Sequence, residues 1–354
     1  MPSSVRTLTQ RQLNRAVLAR QHLLRRSTAS LPAMLESVGG LQMQYAPSGY
    51  VGCWSRLEDV SRSRVTGALE RRQVVQATLL RSTIHLVSAA DFPMLFAATR
   101  ISRQRSGRRA AQMRKLDEVD YVAIAEQVRG WFGDGPLERR ELIARLEAEG
   151  VGKDHFESLS QWLELLRVPP QGTWERRRAH LYGLAVDELG VSAASIDVDV
   201  AMELLVERYL GGFGPAGRDD LASWAGMPVG AFDRTLGRMT LRRFADEDGD
   251  ELIDLPRRPL PDASTPAPVR FLGTWDATLL AHARRTQVLP EDLRGQVFSI
   301  RRPHSVNTVL VDGQVAGTWR IEERRVVVEP FDTLPARFAD QVASERAALE
   351  TFIS

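Results

Sequence analysis

The sequence predicts a mainly α-helical protein with small β wings, an α+β fold built from three tandem winged-helix domains. Three times along the chain, segments of helical character are followed by a short β-hairpin or by a polar loop of hairpin character. This order is typical of the winged helix, a helix-turn-helix variant. The last part of the chain differs, because a proline-rich linker leads into a β meander and one amphipathic helix. A chain of 354 residues is long enough for such a set of small domains.

The first predicted unit, residues 1–115, contains three helices and a strand pair. Apolar residues at helical spacing follow Thr9, which is a suitable capping residue, and β-branched residues mark the strand pair. The predicted helices cover residues 8–24, 30–40 and 61–72, and the strand pair covers residues 74–87.

The second predicted unit, residues 116–192, repeats this order with a wing that carries Arg176, Arg177 and Arg178. Its helices are predicted over residues 121–132, 137–150 and 155–168, and its wing over residues 169–185.

The third predicted unit is residues 193–258, with a hairpin that turns at Asp248 and Gly249. Its helices are predicted over residues 199–214, 218–226 and 229–239. The final unit, residues 259–354, comprises the linker, the meander and the closing helix. Asp312 followed by Gly313 is its hairpin signal.

Composition narrows the class of protein. Lys115 and Lys153 are the only lysines, so nearly all cationic side chains are arginines. Arginine suits phosphate and base edges, although a GC-rich genome also supplies it. Cys53 is the single cysteine, which excludes an internal disulfide and a thiolate zinc site. Nucleotide-binding and metalloprotease motifs are absent and the six histidines lack ligand spacing, so we expect no cofactor and no metal.

The predicted location follows from apolar patterning. The N-terminus has no apolar signal-peptide core, and no apolar run reaches membrane-spanning length. We therefore expect a soluble cytoplasmic protein, associated with the nucleoid, that has no membrane partner.

The segment "LQMQY" places two carboxamides close together. In an extended chain Gln42 and Gln44 point the same way and Met43 the other way. Carboxamides donate and accept hydrogen bonds but do not ionise, so the pair cannot be a strong base. It can hold a water molecule and stabilise a developing cation. A hydrogen-bonded turn after a helix is the structural alternative, and the residues alone leave it open.

The segment "RSTIH" has the same pattern. If it is extended, Arg81, Thr83 and His85 share one face, and Ile84 anchors the other. These side chains could complete one cleft with the glutamines, or they could form an internal hydrogen-bond network.

The segments "LQMQYAPSGYVGCWSRL", "LLRSTIHLV" and "VLVDGQVAGTWR" resemble, in this order, the AlkZ-like family of bacterial DNA glycosylases. The resemblance implies three winged helices in a C-shaped arrangement around double-stranded DNA. It implies hydrolysis of the N-glycosidic bond of bulky alkylated purines, in base-excision repair or self-resistance to a DNA-crosslinking compound. It assigns catalysis to Gln42 and Gln44, and it suggests a monomer.

The resemblance also implies a DNA-probing hairpin in the C-terminal region. Arg301, Arg302, His304 and Asn307 precede the last meander and are the predicted DNA contacts there. Arg81, Thr83 and His85 are expected to support the glutamines or hold the adjacent phosphate. Relatives often carry a Phe-Asp pair where this chain has Trp275 and Asp276, which weakens a catalytic assignment for the aspartate.

No lysine lies near the glutamines, so a Schiff base has no obvious nucleophile and we expect a monofunctional glycosylase. The alternatives are a non-catalytic winged-helix regulator, an adduct-binding protein, or a resistance protein that sequesters a drug.

Overall fold

The computed structural model describes residues 5–178, 180–282, 286–299 and 304–354. The N-terminal region contains five helices and three strands among the described residues. They are α1 (Gln10–Arg20), α2 (Leu31–Val38), β1 (Leu41–Gln42), α3 (Ala46–Arg56), α4 (Arg62–Glu70), β2 (Val74–Thr78), β3 (Ile84–Ser88) and α5 (Asp91–Met113). Thr9 caps α1 in a reciprocal arrangement with Gln12, which confirms the predicted helix start.

Two helices of this region are absent from the sequence prediction. Helix α3 follows the glutamine segment, and every one of its residues is buried. A helix that is buried all round has no polar face, so the helical period of apolar residues does not reveal it. Helix α5 has a largely exposed second half whose polar sequence hides the apolar stripe of its first half.

The second region carries short helices and three strands. They are α6 (Tyr121–Gly130), β4 (Leu137–Glu138), α7 (Arg139–Ala148), α8 (Phe156–Leu159), β5 (Leu165–Arg167), β6 (Leu181–Leu184) and α9 (Ala185–Leu189). The helix predicted over residues 155–168 is wrong beyond Leu159, because Leu165–Arg167 is a strand between two partners. Sheet pairing overrides the local helical period there.

The third region repeats helices followed by a hairpin, as predicted. Its elements are α10 (Val198–Phe213), α11 (Arg218–Ala225), α12 (Asp233–Arg238), β7 (Arg242–Ala245) and β8 (Glu251–Asp254). Helix α10 packs on α5 and α2, and its rings Tyr209 and Phe213 meet Trp224 of α11 in the largest apolar core.

The C-terminal region forms the predicted meander and adds one strand to it. Its elements are β9 (Arg270–Leu272), α13 (Arg294–Val297), β10 (Phe298–Ser299), β11 (His304–Ser305), β12 (Asn307–Val311), β13 (Gln314–Glu322), β14 (Arg325–Pro330) and α14 (Ala339–Ile353). Strands β14, β13, β12 and β9 form an antiparallel sheet in that order. Asp312 and Gly313 both have positive φ, which confirms the predicted two-residue turn.

The first two wings share one antiparallel sheet. Its strand order is β1-β3-β2-β5-β6-β4, so the three strands of the first predicted unit lie side by side and meet the three strands of the second unit at one seam. At the seam, β2 pairs with β5 through Gln76 opposite Arg167 and Ala77 opposite Leu166. The backbone hydrogen bonds between β2 and β5 therefore fix the position of the first wing relative to the second. Within the described part of the chain, every helix is too short or too polar to serve as a membrane span.

Buried ion pairs tie distant parts of the chain together. Arg20 Nη1 of α1 lies 2.7 Å from Asp254 Oδ1 of β8, and both side chains are almost fully buried. Arg56 Nη2 of α3 lies 2.7 Å from Asp276 Oδ1 and is equally buried. A buried charge left without its partner keeps its desolvation cost, so each pair strongly penalises loss of one member.

We expect Asp254→Ala to lower the free energy of unfolding by about 3–5 kcal/mol, because Arg20 would remain buried without its counter-ion. Urea denaturation measures this change. Glu251→Ala is the matched control, because it removes the exposed partner of Arg243 from the same strand. The control should stay within about 0.5 kcal/mol of the wild-type protein. If Asp254→Ala and Glu251→Ala lowered the free energy of unfolding by the same amount, the buried Arg20–Asp254 pair would not stabilise the fold more than an exposed pair does.

Candidate active site and DNA interface

The glutamine segment is positioned by pairing of β1 with β3. Gly39 ends α2 with a φ of 75°, and Gly40 continues the turn with a φ of 78°, so the chain reverses into β1. In the antiparallel register, Gln42 lies opposite His85. The Met43 N–H then donates to the Ile84 carbonyl at 2.8 Å. The segments "LQMQY" and "RSTIH", which lie some forty residues apart in the sequence, are therefore neighbours in the structure.

The two glutamines bind the same neighbouring segment through their carbonyl oxygens. Gln42 Oε1 accepts a hydrogen bond from Arg81 Nη2 at 3.0 Å, and Gln44 Oε1 accepts one from the Ile84 N–H at 3.1 Å. Since both partners are donors, the amide oxygens must face them. Among the described residues, neither carboxamide nitrogen has a protein hydrogen-bond partner. Each pair of N–H donors therefore remains available.

The two glutamines differ in exposure. Gln42 is 7% exposed, whereas Gln44 lies beyond the end of β1 and is exposed to solvent. Met43 is buried on the other side, where it lies so close to Gly49 of α3 that a Cβ there would approach Met43 within 2.6 Å. The side chains therefore alternate as expected, although the strand ends at Gln42. These hydrogen bonds to Arg81 and to the Ile84 N–H correspond to part of the internal network that the sequence left open as an alternative.

Arg81 does not continue a strand, contrary to the expectation from sequence. Leu80–Ser82 is a 3₁₀ turn in which Arg81 and Ser82 have φ values of 52° and 57°. Arg81 therefore reaches Gln42 from a tight left-handed turn, because the extended strand begins only at Ile84. Thr83 Oγ1 donates to the Leu80 carbonyl at 3.1 Å and closes this turn.

Arg81 also contacts the third region. Its Nη1 donates to the Trp224 carbonyl near the end of α11 at 2.6 Å. Gly226, which follows α11, fits closely against the Arg81 backbone, since a Cβ there would lie 3.0 Å from Arg81 Cα. The partial negative charge at a helix C-terminus favours a guanidinium in this place. Arg81 thereby couples Gln42 to α11.

His85 is a buried neutral imidazole. It is 3% exposed, and its Nδ1 lies 3.0 Å from the Thr83 carbonyl, so Nδ1 carries the proton and donates. Burial and the nearby Arg81 charge lower the pKa of His85 to about 3. His85 can therefore accept a hydrogen bond at Nε2 but does not carry a charge at neutral pH.

The predicted C-terminal contacts have different positions. Arg301 and Arg302 lie outside the described residues, in the connection between β10 and β11. His304 begins β11, which pairs with β10. Asn307 is half-buried in β12, and its Nδ2 donates to the Trp319 carbonyl at 3.2 Å, which is a structural contact.

A chain of contacts links the β10–β11 hairpin to the glutamine segment. The Trp275 N–H donates to Ser305 Oγ at 3.2 Å. Gly273 lies against Ser48, where a Cβ would come within 2.9 Å of the Ser48 carbonyl oxygen. Ser48 Oγ in turn donates to the carbonyl of Tyr45, the residue after Gln44. The hairpin and the glutamines therefore belong to one neighbourhood.

The Asp276 carboxylate is occupied by contacts within the protein. Both of its carboxylate oxygens bind Arg56, at 2.7 and 2.9 Å, and it caps the following 3₁₀ turn through the Thr278 N–H. Burial alone would raise its pKa, but Arg56 and the hydrogen bonds from Thr278 lower the pKa below its ordinary value. The sequence argument against a catalytic aspartate at this position agrees with this geometry.

Two residues of the neighbourhood were not assigned to the site from sequence. Tyr45 is 43% exposed next to Gln44, and its hydroxyl accepts a hydrogen bond from Arg177 Nη1 at 2.8 Å. Arg177 belongs to the loop between β5 and β6, more than 130 positions away. The run of three arginines was visible in the sequence, but its target was not.

Charge distinguishes the second and third wings. The hairpin of β7 and β8 borders a cavity of about 600 Å³ that is lined by seven carboxylate side chains. They are Asp219, Asp220, Asp246, Glu247, Asp248, Asp250 and Glu251. The described residues contain no group of three or more potential ligands arranged for a metal ion.

Comparison with known proteins agrees with this fold. A curated relative, the interstrand DNA cross-link repair glycosylase of Streptomyces sahachiroi, is 24% identical over 360 residues, covering 93% of each chain. The solved structure of Streptomyces sahachiroi DNA glycosylase AlkZ superposes with a TM-score of 0.83 at 20% identity, covering 98% of this chain and 97% of the other. The family model for AlkZ-like DNA glycosylases matches residues 35–352. This chain therefore belongs to the AlkZ-like DNA glycosylase family.

Proposed function

We propose that this enzyme hydrolyses the N-glycosidic bond of bulky alkylated purines of the 7-alkylguanine type in double-stranded DNA. Purines joined in interstrand crosslinks or carrying a natural-product adduct fall in this class, and repair of crosslinks is the role named for the Streptomyces relative. The observation that carries the proposal is the carboxamide pair, whose oxygens are oriented by Arg81 and Ile84 and whose nitrogens remain available. The enzyme acts as a monomer.

An alkylated purine needs only modest catalysis. The base is already cationic and leaves readily, so the transition state concentrates positive charge on the deoxyribose. Oriented amide dipoles stabilise such charge because they need no reorganisation during the reaction. Each amide oxygen has a second lone pair beyond the hydrogen bond that it already accepts, and this lone pair can bind a water proton. Gln44, the exposed member, reaches the nucleotide first, and Gln42 completes the water site behind it.

Supporting residues keep this pair rigid. Arg81 holds Gln42 and contacts the Trp224 carbonyl, while Thr83 fixes the turn that presents Arg81. His85 lies opposite Gln42 as a neutral group, so it adds no competing positive charge beside the sugar. Orientation by such contacts reduces the entropy that the reaction must otherwise lose.

The product is an abasic site without strand cleavage. Neither residues 39–56, which contain the two glutamines, nor residues 79–88, which contain Arg81, Thr83 and His85, include a lysine. A lyase reaction requires an amine that attacks the sugar and forms a Schiff base. Water is therefore the nucleophile.

DNA binding is supported by arginines that the fold leaves uncompensated. Ser102 of α5 donates a hydrogen bond from Oγ to the Gly226 carbonyl at 2.7 Å, and Gly226 packs against the Arg81 turn, so α5 runs beside that turn. Beyond this point Arg105 and Arg109 are exposed, and no described carboxylate lies within ion-pairing distance of either. Arginines of this kind can replace the counter-ions of DNA phosphates.

The double variant Gln42→Ala/Gln44→Ala should lower single-turnover release of 7-methylguanine from duplex DNA by at least about 10²-fold, because it removes oriented dipoles. Its affinity for DNA should stay near that of the wild-type protein. Gln314→Ala, which alters an exposed glutamine at the start of β13, is the matched control and should retain full activity.

Two outcomes would contradict the assignment. Unchanged release in the double variant would remove the glutamines from catalysis. If the wild-type protein binds duplex DNA but releases no base from any adduct in a panel, the non-catalytic adduct-binding alternative is favoured.

The rate of base release should not depend on pH around neutrality. The glutamines do not ionise, and burial with the Arg81 charge lowers the pKa of His85 to about 3, so these side chains keep their charge. Single-turnover rates measured across a pH series test this. A rate change with a midpoint near the ordinary histidine pKa of about 6.5 that disappears in His85→Gln would show that His85 titrates in the reaction.

A further inference from the structure

We propose that Arg177 binds the DNA phosphate adjacent to the lesion, and that Tyr45 holds its guanidinium in place for this contact. This positioning role rests on the proposed glycosylase function, because it fixes the damaged nucleotide against Gln44. It assigns part of the DNA site to the second wing.

The loop that carries Arg177 is firmly anchored at its base. Trp174 is 6% exposed and packs edge-on against Tyr50 of α3, with ring centroids 5.8 Å apart, and against Phe352 of α14 at 6.0 Å. Gln76 Nε2 of β2 donates to the Gly172 carbonyl at 2.5 Å. A loop fixed in this way presents its tip with little loss of conformational entropy on binding.

The backbone of the arginine run is fixed as well. The Gly172 N–H donates to the carbonyls of Arg176 and Arg178, at 2.8 and 3.1 Å. The run therefore folds back over the loop base, and its three side chains are exposed. Arg177 is directed to Tyr45, with its guanidinium carbon 5.9 Å from the ring centroid and Nη1 bonded to the hydroxyl.

The charge of this run is not neutralised within the described chain. No described carboxylate lies within ion-pairing distance of Arg176, Arg177 or Arg178. Glu175, the acidic neighbour in the same loop, faces Arg62 at 3.7 Å instead. Within the described part of the chain, the Arg177 guanidinium has one hydrogen-bond partner, the Tyr45 hydroxyl, so most of its donors remain available.

The location of this charge identifies its ligand. Tyr45 directly follows Gln44 in the chain, so Arg177 is bonded to the residue next to the exposed carboxamide. A guanidinium fork with free donors matches two oxygens of one phosphate. A nucleotide whose sugar faces Gln44 brings its own flanking phosphate into the reach of a long side chain at Tyr45. In the third wing, by contrast, the exposed Arg243 is paired with Glu251.

The first experiment measures affinity for unmodified duplex DNA by fluorescence anisotropy over a salt series. Arg177→Ala should reduce the slope of log K against log salt concentration by about one, which corresponds to one lost phosphate contact. Arg243→Ala is the matched control: Arg243 is similarly exposed but paired with Glu251 in the acidic wing, so its slope should equal that of the wild-type protein. An unchanged slope in Arg177→Ala would overturn the proposal.

The second experiment locates the phosphate. Adducted duplexes carrying a single uncharged methylphosphonate are compared at successive positions around the lesion, with kcat/KM for base release as the readout. In the wild-type protein, one position next to the lesion should reduce kcat/KM as much as Arg177→Ala does. That position should have no further effect in Arg177→Ala. Additive losses at every position would mean that Arg177 does not contact a phosphate there.

The Tyr45 contribution is tested by Tyr45→Phe, which keeps the ring and removes only the hydroxyl. The salt slope should stay at the wild-type value, while kcat/KM should fall about two- to tenfold, because Arg177 loses one orienting hydrogen bond. Wild-type kcat/KM in Tyr45→Phe would remove Tyr45 from the proposal.

The two proposals fail separately. A wild-type protein that releases no base but loses its slope in Arg177→Ala would refute the glycosylase substrate assignment and keep the phosphate contact. If the wild-type protein releases the base but Arg177→Ala keeps the wild-type salt slope, the glycosylase assignment stands and the phosphate contact is refuted.

Discussion

The antiparallel pairing of β1 with β3 is the constraint on which the site depends. It places Gln42 opposite His85 and delivers the Ile84 N–H to Gln44. A shift by one residue would turn Met43 toward solvent and both carboxamides into the core, because side chains alternate along a strand. Burial of Met43 against α3 opposes that shift. The burial of Met43 between the two glutamines therefore favours the register that directs both carboxamides away from the core.

The shared sheet extends this constraint to the second wing. Strand β2 pairs with β3 on one edge and with β5 on the other, so the loop after β5 has a defined position relative to the glutamines. Gln76 and Trp174 then fix the loop itself. The site thus combines backbone pairing, which sets coarse position, with a few buried side chains that set the fine position.

The three repeats have similar element order and different electrostatics. The first supplies neutral amides with one buried imidazole, the second supplies exposed arginines, and the third surrounds a cavity with carboxylates. In the function proposed above, DNA at the glutamines gains favourable energy from the exposed arginines of the second wing. The third unit also stabilises the fold, because Trp224 of α11 accepts a hydrogen bond from Arg81 and Asp254 of β8 forms an ion pair with Arg20.

The sequence by itself determined most of the secondary structure and the neutral chemistry of the two glutamines, because these follow from local periods and from side-chain chemistry. Capping at Thr9, the turn at Asp312 and Gly313, and the neutral chemistry of two glutamines require no distant residue. Helix α3, the strand at Leu165–Arg167 and the left-handed turn at Arg81 were decided by packing and sheet pairing, which override local preference. Tertiary structure alone also divided the arginines into buried counter-ions such as Arg20 and Arg56 and exposed ones such as Arg177. Composition cannot make that division, because the same side chain serves both roles and only the position of its partners in the fold distinguishes them.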